Sequence, residues 1–277
     1  MSKVSSIKSV IRKVLECFKD VEVQLNNVEV TSNNLLENKI AIITGVTSGI
    51  GKATAKKFIN SGATVIGIGR NEAVLSQLSN DWGNKFIPHV CDISDLQNLE
   101  KNFYSICNKI NHRPISILIN CAGAKNGNDE RFFQYSFDEF DSVINTNLKA
   151  VFFWSQFISK YMIDNKIKGH IVNVASIKGF IGEASPYSVS KWGCVGFTKG
   201  LARLLAPYGI VVNGIAPGGT ATNMAHYQEG DSLTHMITPN MRLALPDEMA
   251  NLILFLASDL GQNIVGEVII SDGGQVL

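Results

Sequence analysis

The sequence has almost no charge imbalance and no long apolar run. Its 277 residues include 25 Lys and Arg against 24 Asp and Glu, a formal net charge of +1. Nucleic-acid and membrane-surface binding usually require a basic patch or a block of like charges, so neither partner is expected. No stretch reaches the roughly 18 apolar residues that a spanning helix needs. Proline is scarce, at 7 residues, whereas 24 glycines and 45% hydrophobic residues fit a compact α/β protein.

Metal and disulfide signatures are also missing. The cysteines are odd in number and have no CxxC spacing; they are Cys17, Cys91, Cys107, Cys121 and Cys194. We therefore expect no metal site and no disulfide framework, but free thiols in a cytoplasmic protein. The first residues also lack the continuous apolar stretch of a signal peptide, because charges interrupt them at Lys8, Arg12, Lys13 and Glu16.

The first 38 residues are predicted to form an N-terminal extension. Apolar residues recur at helical spacing over 3–19, which indicates an amphipathic helix. Alternation around Asn26-Asn27 is compatible with a small hairpin, and the polar residues 31–37 are typical of a linker. The extension could serve to dock a partner protein or to cover the chain's own surface, and both roles stay open.

From residue 39 to residue 277, apolar runs alternate with helical segments. The apolar runs are 40–43, 63–68, 86–90, 115–119, 170–174, 210–212 and 268–270, and helices are expected at 50–60, 94–110, 137–164, 186–206 and 246–258. Continuous apolar runs indicate strands buried on both faces, and alternation with helices indicates a parallel sheet. We predict one domain, a doubly wound parallel sheet of about seven strands in a three-layer α/β/α sandwich.

A glycine-rich turn follows the first predicted strand. Residues 44–51 read TGVTSGIG, and a helical segment comes next. Glycines at such a turn let backbone N–H groups approach a pyrophosphate, and the helix N-terminus favours its negative charge. A purely structural turn is the alternative, but the position in the first βα unit favours nucleotide binding and a Rossmann-type fold. The expected contacts are Gly45, Thr47, Ser48, Gly49, Ile50 and Gly51.

A tyrosine and a lysine four residues apart form the strongest chemical signal. Tyr187 and Lys191 would face the same way on a helix. A free tyrosine is a poor base near neutrality, and a nearby ammonium favours the phenolate. A solvated helix face would give the same spacing, but Ser176 follows a strand at the sheet edge where such folds bind ligands. Asn147 lies inside a predicted helix, where asparagine is unfavourable, so either a buried polar role or a local kink would explain it.

Together these motifs resemble the short-chain dehydrogenase/reductase family over residues 39–277. Its cofactor loop has the TGxxxGxG form, and its Asn-Ser-Tyr-Lys tetrad has the order seen here. The resemblance implies that Tyr187 donates or accepts the proton, that Ser176 orients the carbonyl, and that Lys191 holds the ribose and tunes Tyr187. Asn147 would anchor a water in a proton relay. Ser176 and Tyr187 are closer than is usual in the family, so the loop between them is expected to be shorter.

The resemblance implies further cofactor contacts. Asp92 would meet adenine, although it could also cap the helix 94–110. Asn120-Cys121-Ala122-Gly123 resembles the family's NNAG segment, and residues 213–222 resemble its NxxxPG segment. The contacts implied in these segments are Asp92, Ile93, Asn120, Ala122, Gly123, Pro217, Gly218, Thr220 and Thr222. Residues 223–241 would form a mobile substrate lid, and Asp272-Gly273-Gly274 matches a C-terminal signature of structural character.

The second predicted strand ends at Gly69-Arg70, where an NAD site usually has an acid. Arg70 can instead form charge-assisted hydrogen bonds to a 2′-phosphate, or it can be a solvated surface residue. The family often has a second basic residue before the middle glycine, but Ser48 stands there. We expect NADP(H) to be preferred, with NAD(H) as the alternative.

The expected function is hydride transfer between the cofactor and a ketone or secondary alcohol. The expected reaction is the NADPH-dependent reduction of a 3-oxoacyl-type ketone. A sugar, polyol or steroid-like alcohol dehydrogenase and a non-catalytic nucleotide sensor or scaffold are the alternatives. The hypothesis of an acyl-carrier-bound substrate is weakened by three residues near the positions where carrier-protein reductases use arginines to dock their partner. Those residues are Lys166, Lys168 and Tyr208. A homotetramer or homodimer is expected through helices 137–164 and 186–206.

Overall fold

The computed structural model describes residues 34–277. The predicted helix 3–19 and the predicted hairpin around Asn26-Asn27 lie outside the described residues. The end of the predicted linker packs on the domain, because Leu36 is fully buried and its N–H donates to the carbonyl oxygen of Ser61 at 2.9 Å. The packed structure therefore includes residues that the polar composition of 31–37 assigned to a linker.

As predicted, seven parallel strands form one sheet within the described residues, and their order is β3-β2-β1-β4-β5-β6-β7. The strands are β1 (Ile40–Thr44), β2 (Thr64–Gly69), β3 (Phe86–Val90), β4 (Ile117–Asn120), β5 (Gly169–Val174), β6 (Ile210–Pro217) and β7 (Val268–Ser271). β6 runs five residues past its predicted end at 212. Asn213 continues the strand because its side chain donates to Ile264 O at 2.6 Å and accepts from Glu267 N at 3.0 Å.

Seven α-helices connect or follow the strands in the part of the chain that the structure describes. They are α1 (Gly49–Asn60), α2 (Glu72–Trp82), α3 (Leu99–Lys109), α4 (Phe137–Ile144), α5 (Ala150–Asp164), α6 (Pro186–Leu205) and α7 (Pro246–Ala257). Within residues 34–277, none of the helices combines the length and apolar character needed to cross a membrane.

Two helix predictions were wrong in detail. The segment 94–110 becomes helical only after a short 3₁₀ turn at Leu96–Asn98, and Asp92 does not cap it. The Asp92 carboxylate accepts instead from the backbone and hydroxyl of Ser94, at 2.9 and 2.7 Å, which holds the chain in a turn. The segment 137–164 is not one α-helix, because a π-helical turn at Asn145–Lys149 separates α4 from α5.

The core lies on both faces of the sheet because successive strand residues point to opposite sides. In β1, Ile40 and Ile42 pack with the helices α3, α5 and α6, whereas Ala41 and Ile43 pack with α1, α2 and α7. The result is the predicted three-layer sandwich. Strand order reverses between β1 and β4, and in such sheets the crevice at the carboxyl ends beside this reversal is the usual ligand site.

Candidate active site

A cleft of about 640 Å³ opens at the carboxyl ends of the strands, beside the reversal of strand order. It is bordered by the turns after β1, β2, β4, β5 and β6 and by residues 223–237. All but two of the predicted site residues line it, the exceptions being Asn120 and Asn147.

The turn after β1 leaves the start of α1 open toward the cleft. Gly45 and Gly49 have φ angles of +76° and +52°, which favour glycine. A Cβ on Gly45 would lie 2.8 Å from Ala122 Cα, and one on Gly51 would collide with the Gly45 carbonyl oxygen. The N-cap residue Ser48 makes no side-chain cap, and no acid occupies the first turn. Backbone N–H groups at a helix N-terminus therefore face the cleft, an arrangement that fits a pyrophosphate.

Arg70 and Asp92 border the end of the cleft at the carboxyl ends of β2 and β3. The Arg70 side chain is 81% exposed, and its Nη1 lies 3.8 Å from Asp92 Oδ2. Partial burial raises the pKa of Asp92, but hydrogen bonds from Ser94 and the charge of Arg70 outweigh it, so the pKa lies below its usual value. Because the Arg70 side chain is mostly exposed and its contact with Asp92 is long, the guanidinium can turn toward an anion. Ile93 also lines this end of the cleft.

The turn after β4 is tied to β1. The Thr44 hydroxyl accepts from Cys121 N and Ala122 N, both at 3.0 Å. Ala122 and Gly123 line the cleft, but Asn120 does not. The prediction for Asn120 needs correction, because its side chain is directed into the protein and donates to Asn173 Oδ1 at 2.8 Å and Ser155 Oγ at 3.0 Å.

Asn120 belongs to a buried polar chain under the cleft. From Asn173 the chain continues to the hydroxyl of Thr198 at 3.0 Å, and that hydroxyl donates to Cys194 O at 2.8 Å. Its members come from β4, β5, α5 and α6, and Asn173, Ser155 and Thr198 are fully buried. The sheet and the helix α6 are therefore joined by hydrogen bonds as well as by apolar packing.

Ser176, Tyr187 and Lys191 all line the same cleft and are buried in the protein. Ser185 caps the start of α6 by accepting from Ser188 N, and the first turn of the helix places Tyr187. Lys191 lies one turn later, where its Nζ donates to Val174 O at 2.8 Å and lies 5.5 Å from the Tyr187 ring centroid. The Ser176 Oγ accepts from Lys178 N at 3.2 Å, so its hydrogen is available to a group in the cleft.

Asn147 lies behind the cleft in the π-helical turn and is 1% exposed. Its Oδ1 accepts from Ala124 N at 2.7 Å, and its Nδ2 donates to Ala124 O at 2.8 Å and Ser190 Oγ at 3.1 Å. The side chain thus fastens the loop after β4 to the helix that carries Tyr187. Single π turns occur often at functional sites.

The segment after β6 closes the cleft from the other side. Pro217, Gly218, Thr220 and Thr222 line it, together with part of the predicted lid. Asn223 to Ala225 form a short 3₁₀ turn over the opening. At the far end of the lid, Arg242 forms two hydrogen bonds to the carboxylate of Glu248, at 2.7 and 2.6 Å, which anchors the segment on the start of α7.

Several lining residues were missed by the sequence reasoning. Those that lie outside the predicted lid include Lys125, Ser142, Thr146, Lys178 and Gln275. They come from the loop after β4, from α4 and its π turn, and from the segments after β5 and β7. No motif marks them, because each comes from a separate loop or turn.

Comparison with known proteins agrees with this architecture. The sequence model of the family described as short chain dehydrogenase matches residues 39–232. The 3-oxoacyl-(acyl-carrier-protein) reductase of Aquifex aeolicus is 36% identical over 247 residues, covering 86% of this chain and 98% of that protein. The reductase of the same name from Vibrio harveyi is 34% identical over 246 residues, covering 87% and 99%.

Solved structures give the same result. A short-chain type dehydrogenase/reductase from Mycobacterium marinum aligns with a TM-score of 0.79 and 29% identity, covering 87% of this chain and 96% of that one. The 3-ketoacyl-(acyl-carrier-protein) reductase from Brucella melitensis complexed with NADH aligns with a TM-score of 0.78 and 28% identity, covering 87% and 100%. This chain therefore belongs to the short chain dehydrogenase family, and it is an oxidoreductase that acts on an alcohol or keto group with a nicotinamide cofactor.

Proposed function

We propose that this chain is an NADPH-dependent reductase of ketones of the 3-oxoacyl type. The observation that carries the proposal is that Ser176, Tyr187 and Lys191 line the same cleft as the open N-terminus of α1. A cofactor whose pyrophosphate lies at that helix would extend toward the three side chains. Relatives named as 3-oxoacyl-(acyl-carrier-protein) reductases over nearly their whole length support the substrate class.

The residues of the chain would supply binding and the proton. When bound, the reduced nicotinamide supplies the hydride to the carbonyl carbon. The Ser176 hydroxyl donates a hydrogen bond to the carbonyl oxygen, and the Tyr187 hydroxyl gives that oxygen its proton. The Lys191 ammonium donates one N–H to Val174 O, so two N–H groups remain for the ribose hydroxyls. The same ammonium lies 5.5 Å from the centroid of the Tyr187 ring.

Asn147 is proposed as a positioning residue, which holds the loop after β4 and could anchor a water in a proton relay behind Lys191. Its side-chain amide already binds both backbone groups of Ala124. The amide oxygen retains a second lone pair for such a water.

The choice of NADPH rests on Arg70. Its guanidinium lines the cleft beyond β2, and it is only loosely held by Asp92. A cation here complements a 2′-phosphate, whereas the ribose hydroxyl of NADH gains nothing from it. We expect Arg70→Ala to raise the KM for NADPH about 10-fold and to leave the KM for NADH within 3-fold. A wild-type protein that prefers NADH would refute the choice of cofactor.

The reductase activity is tested with 3-oxoacyl esters and thioesters, a sugar ketone and a steroid ketone, by absorbance of the reduced nicotinamide. Tyr187→Phe should lower kcat by at least 100-fold while cofactor affinity, measured by fluorescence titration, stays within 3-fold. Unchanged turnover in Tyr187→Phe would contradict the mechanism and favour the alternative of a nucleotide sensor. Preference for the sugar or steroid ketone would replace the substrate class. Free thioesters and thioesters on a carrier protein are compared to learn whether a carrier is needed.

We also propose that the chain forms a homodimer or homotetramer through α4, α5 and α6. Their outer faces carry exposed apolar side chains, among them Phe152 at 42% and Trp192 at 51%. Patches of this kind on soluble proteins usually mark interfaces. Light scattering of the wild-type protein and of Trp192→Glu tests this, and a wild-type monomer at micromolar concentration would contradict it.

A further inference from the structure

A second cation lies beside the tyrosine, outside the tetrad. Lys125 follows Gly123-Ala124 in the loop after β4 and lines the open end of the cleft. Its Nζ lies 5.7 Å from the centroid of the Tyr187 ring, nearly the same distance as Lys191 Nζ at 5.5 Å. Lys191 is buried and bound to Val174 O, whereas Lys125 is exposed to the space where a substrate would enter.

The other lysine at this end of the cleft already has a counterion. Lys178 Nζ lies 2.6 Å from Glu183 Oε2, and the Glu183 side chain is only 6% exposed. That carboxylate also accepts from the Ser185 hydroxyl at 2.7 Å. No described side chain forms an ion pair with Lys125, although the Glu183 carboxylate is close enough for the charge of Lys125 to act on it.

The backbone beneath Lys125 is held in place. The preceding residue, Ala124, has both its N–H and its carbonyl bound to the buried side chain of Asn147, at 2.7 and 2.8 Å. The lysine therefore extends from a fixed point, and only its own side chain must be ordered when it meets a ligand. The other lining groups nearby, Ser142 and Thr146, are uncharged hydroxyls.

We propose that Lys125 is a specificity-determining residue that selects ketones carrying a carboxylate within a few bonds of the carbonyl. The inference rests on the proposed function, because the carbonyl oxygen must lie at the Tyr187 hydroxyl. A carboxylate on a neighbouring carbon is then within reach of the Lys125 ammonium, where it forms a charge-assisted hydrogen bond. Free 3-oxo acids are the substrates that fit this description, in preference to their neutral esters and thioesters.

The test compares kcat/KM for 3-oxobutanoate and its methyl ester, a pair that differs in charge at one position. The wild-type protein should prefer the acid, and Lys125→Met should lose about 10- to 100-fold on the acid while the ester changes less than 3-fold. Lys125→Arg should keep most of the preference. Lys56→Met, an exposed lysine on α1 outside the cleft, serves as the matched control.

Two outcomes would overturn the inference. One is a wild-type preference for the ester, and the other is an acid-to-ester ratio that Lys125→Met leaves unchanged. Both leave ketone reduction itself intact, so they are distinguishable from failure of the proposed function, in which neither substrate turns over. A binding measurement covers that case: calorimetry should give butanoate an affinity at least 10-fold higher than butanamide, and Lys125→Met should abolish the difference. Equal affinities of the wild-type protein for the two ligands would refute the inference without any turnover.

Discussion

Replacing Asn147 by alanine should loosen the loop after β4 and lower stability. The change removes three hydrogen bonds and leaves both backbone groups of Ala124 without their partner. An unsatisfied buried polar group costs about 1–3 kcal/mol, but this loop is only partly buried, so water can replace part of the loss. We expect the free energy of unfolding to fall by about 1–3 kcal/mol, a decrease in Tm of about 2–4 °C per kcal/mol.

The control for this variant is Asn145→Ala in the same π-helical turn. The Asn145 side chain forms no hydrogen bond to another described residue, so the two substitutions share their effect on helix propensity and differ in the lost bonds. Urea unfolding gives the difference in stability, and hydrogen exchange of residues 122–127 reports on the loop. If the two variants unfold at the same urea concentration and exchange equally, the hydrogen bonds of Asn147 do not hold this loop.

Three further predictions concern other parts of the domain. Gly51→Ala should abolish cofactor binding or folding, because the added Cβ collides with the Gly45 carbonyl oxygen; fluorescence titration with NADPH checks this. Burial lowers the pKa of His170, so the unfolded chain alone binds a proton as the pH falls below about 6.5 and stability decreases there; His170→Gln should flatten the dependence in urea melts at pH 7.5 and 5.5. Burial raises the pKa of Cys121 to about 12, so iodoacetamide at pH 8 should leave this thiol unlabelled in native protein by mass spectrometry, and rapid labelling would contradict it.

The sheet could be predicted from the sequence because its strands are buried on both faces and read as uninterrupted apolar runs. Apolar runs fail to predict the bounds of an element where polar side chains find hydrogen-bond partners in neighbouring segments. Asn213 continues β6 because the neighbouring segment supplies both of its hydrogen-bond partners. Ser94 delays α3 because Asp92 holds it in a turn, and these contacts depend on side-chain directions that periodicity does not contain.

The part of the cleft with the glycine turn and the tyrosine–lysine pair was predictable, whereas the part with Lys125 and Lys178 was not. The glycine turn and the tyrosine–lysine pair are short-range patterns, so spacing along the chain is enough to find them. Lys125 and Lys178 are separated by 53 residues, and both line the cleft because the ends of β4 and β5 are neighbours in the sheet. Lys178 forms an ion pair with Glu183, and this pairing requires the folded loop.

The buried chain from Asn120 to Thr198 has a consequence for how such an enzyme can be altered. Apolar surfaces can slide past one another at little cost, but amide and hydroxyl groups in a dry interior lose their partners if one element shifts by a residue. The buried hydrogen bonds therefore fix the position of the helix that carries Tyr187 and Lys191 relative to the sheet. The loops that border the open end of the cleft do not take part in these hydrogen bonds. An engineer could exchange those loops to change substrate choice, and the reacting groups would keep their alignment.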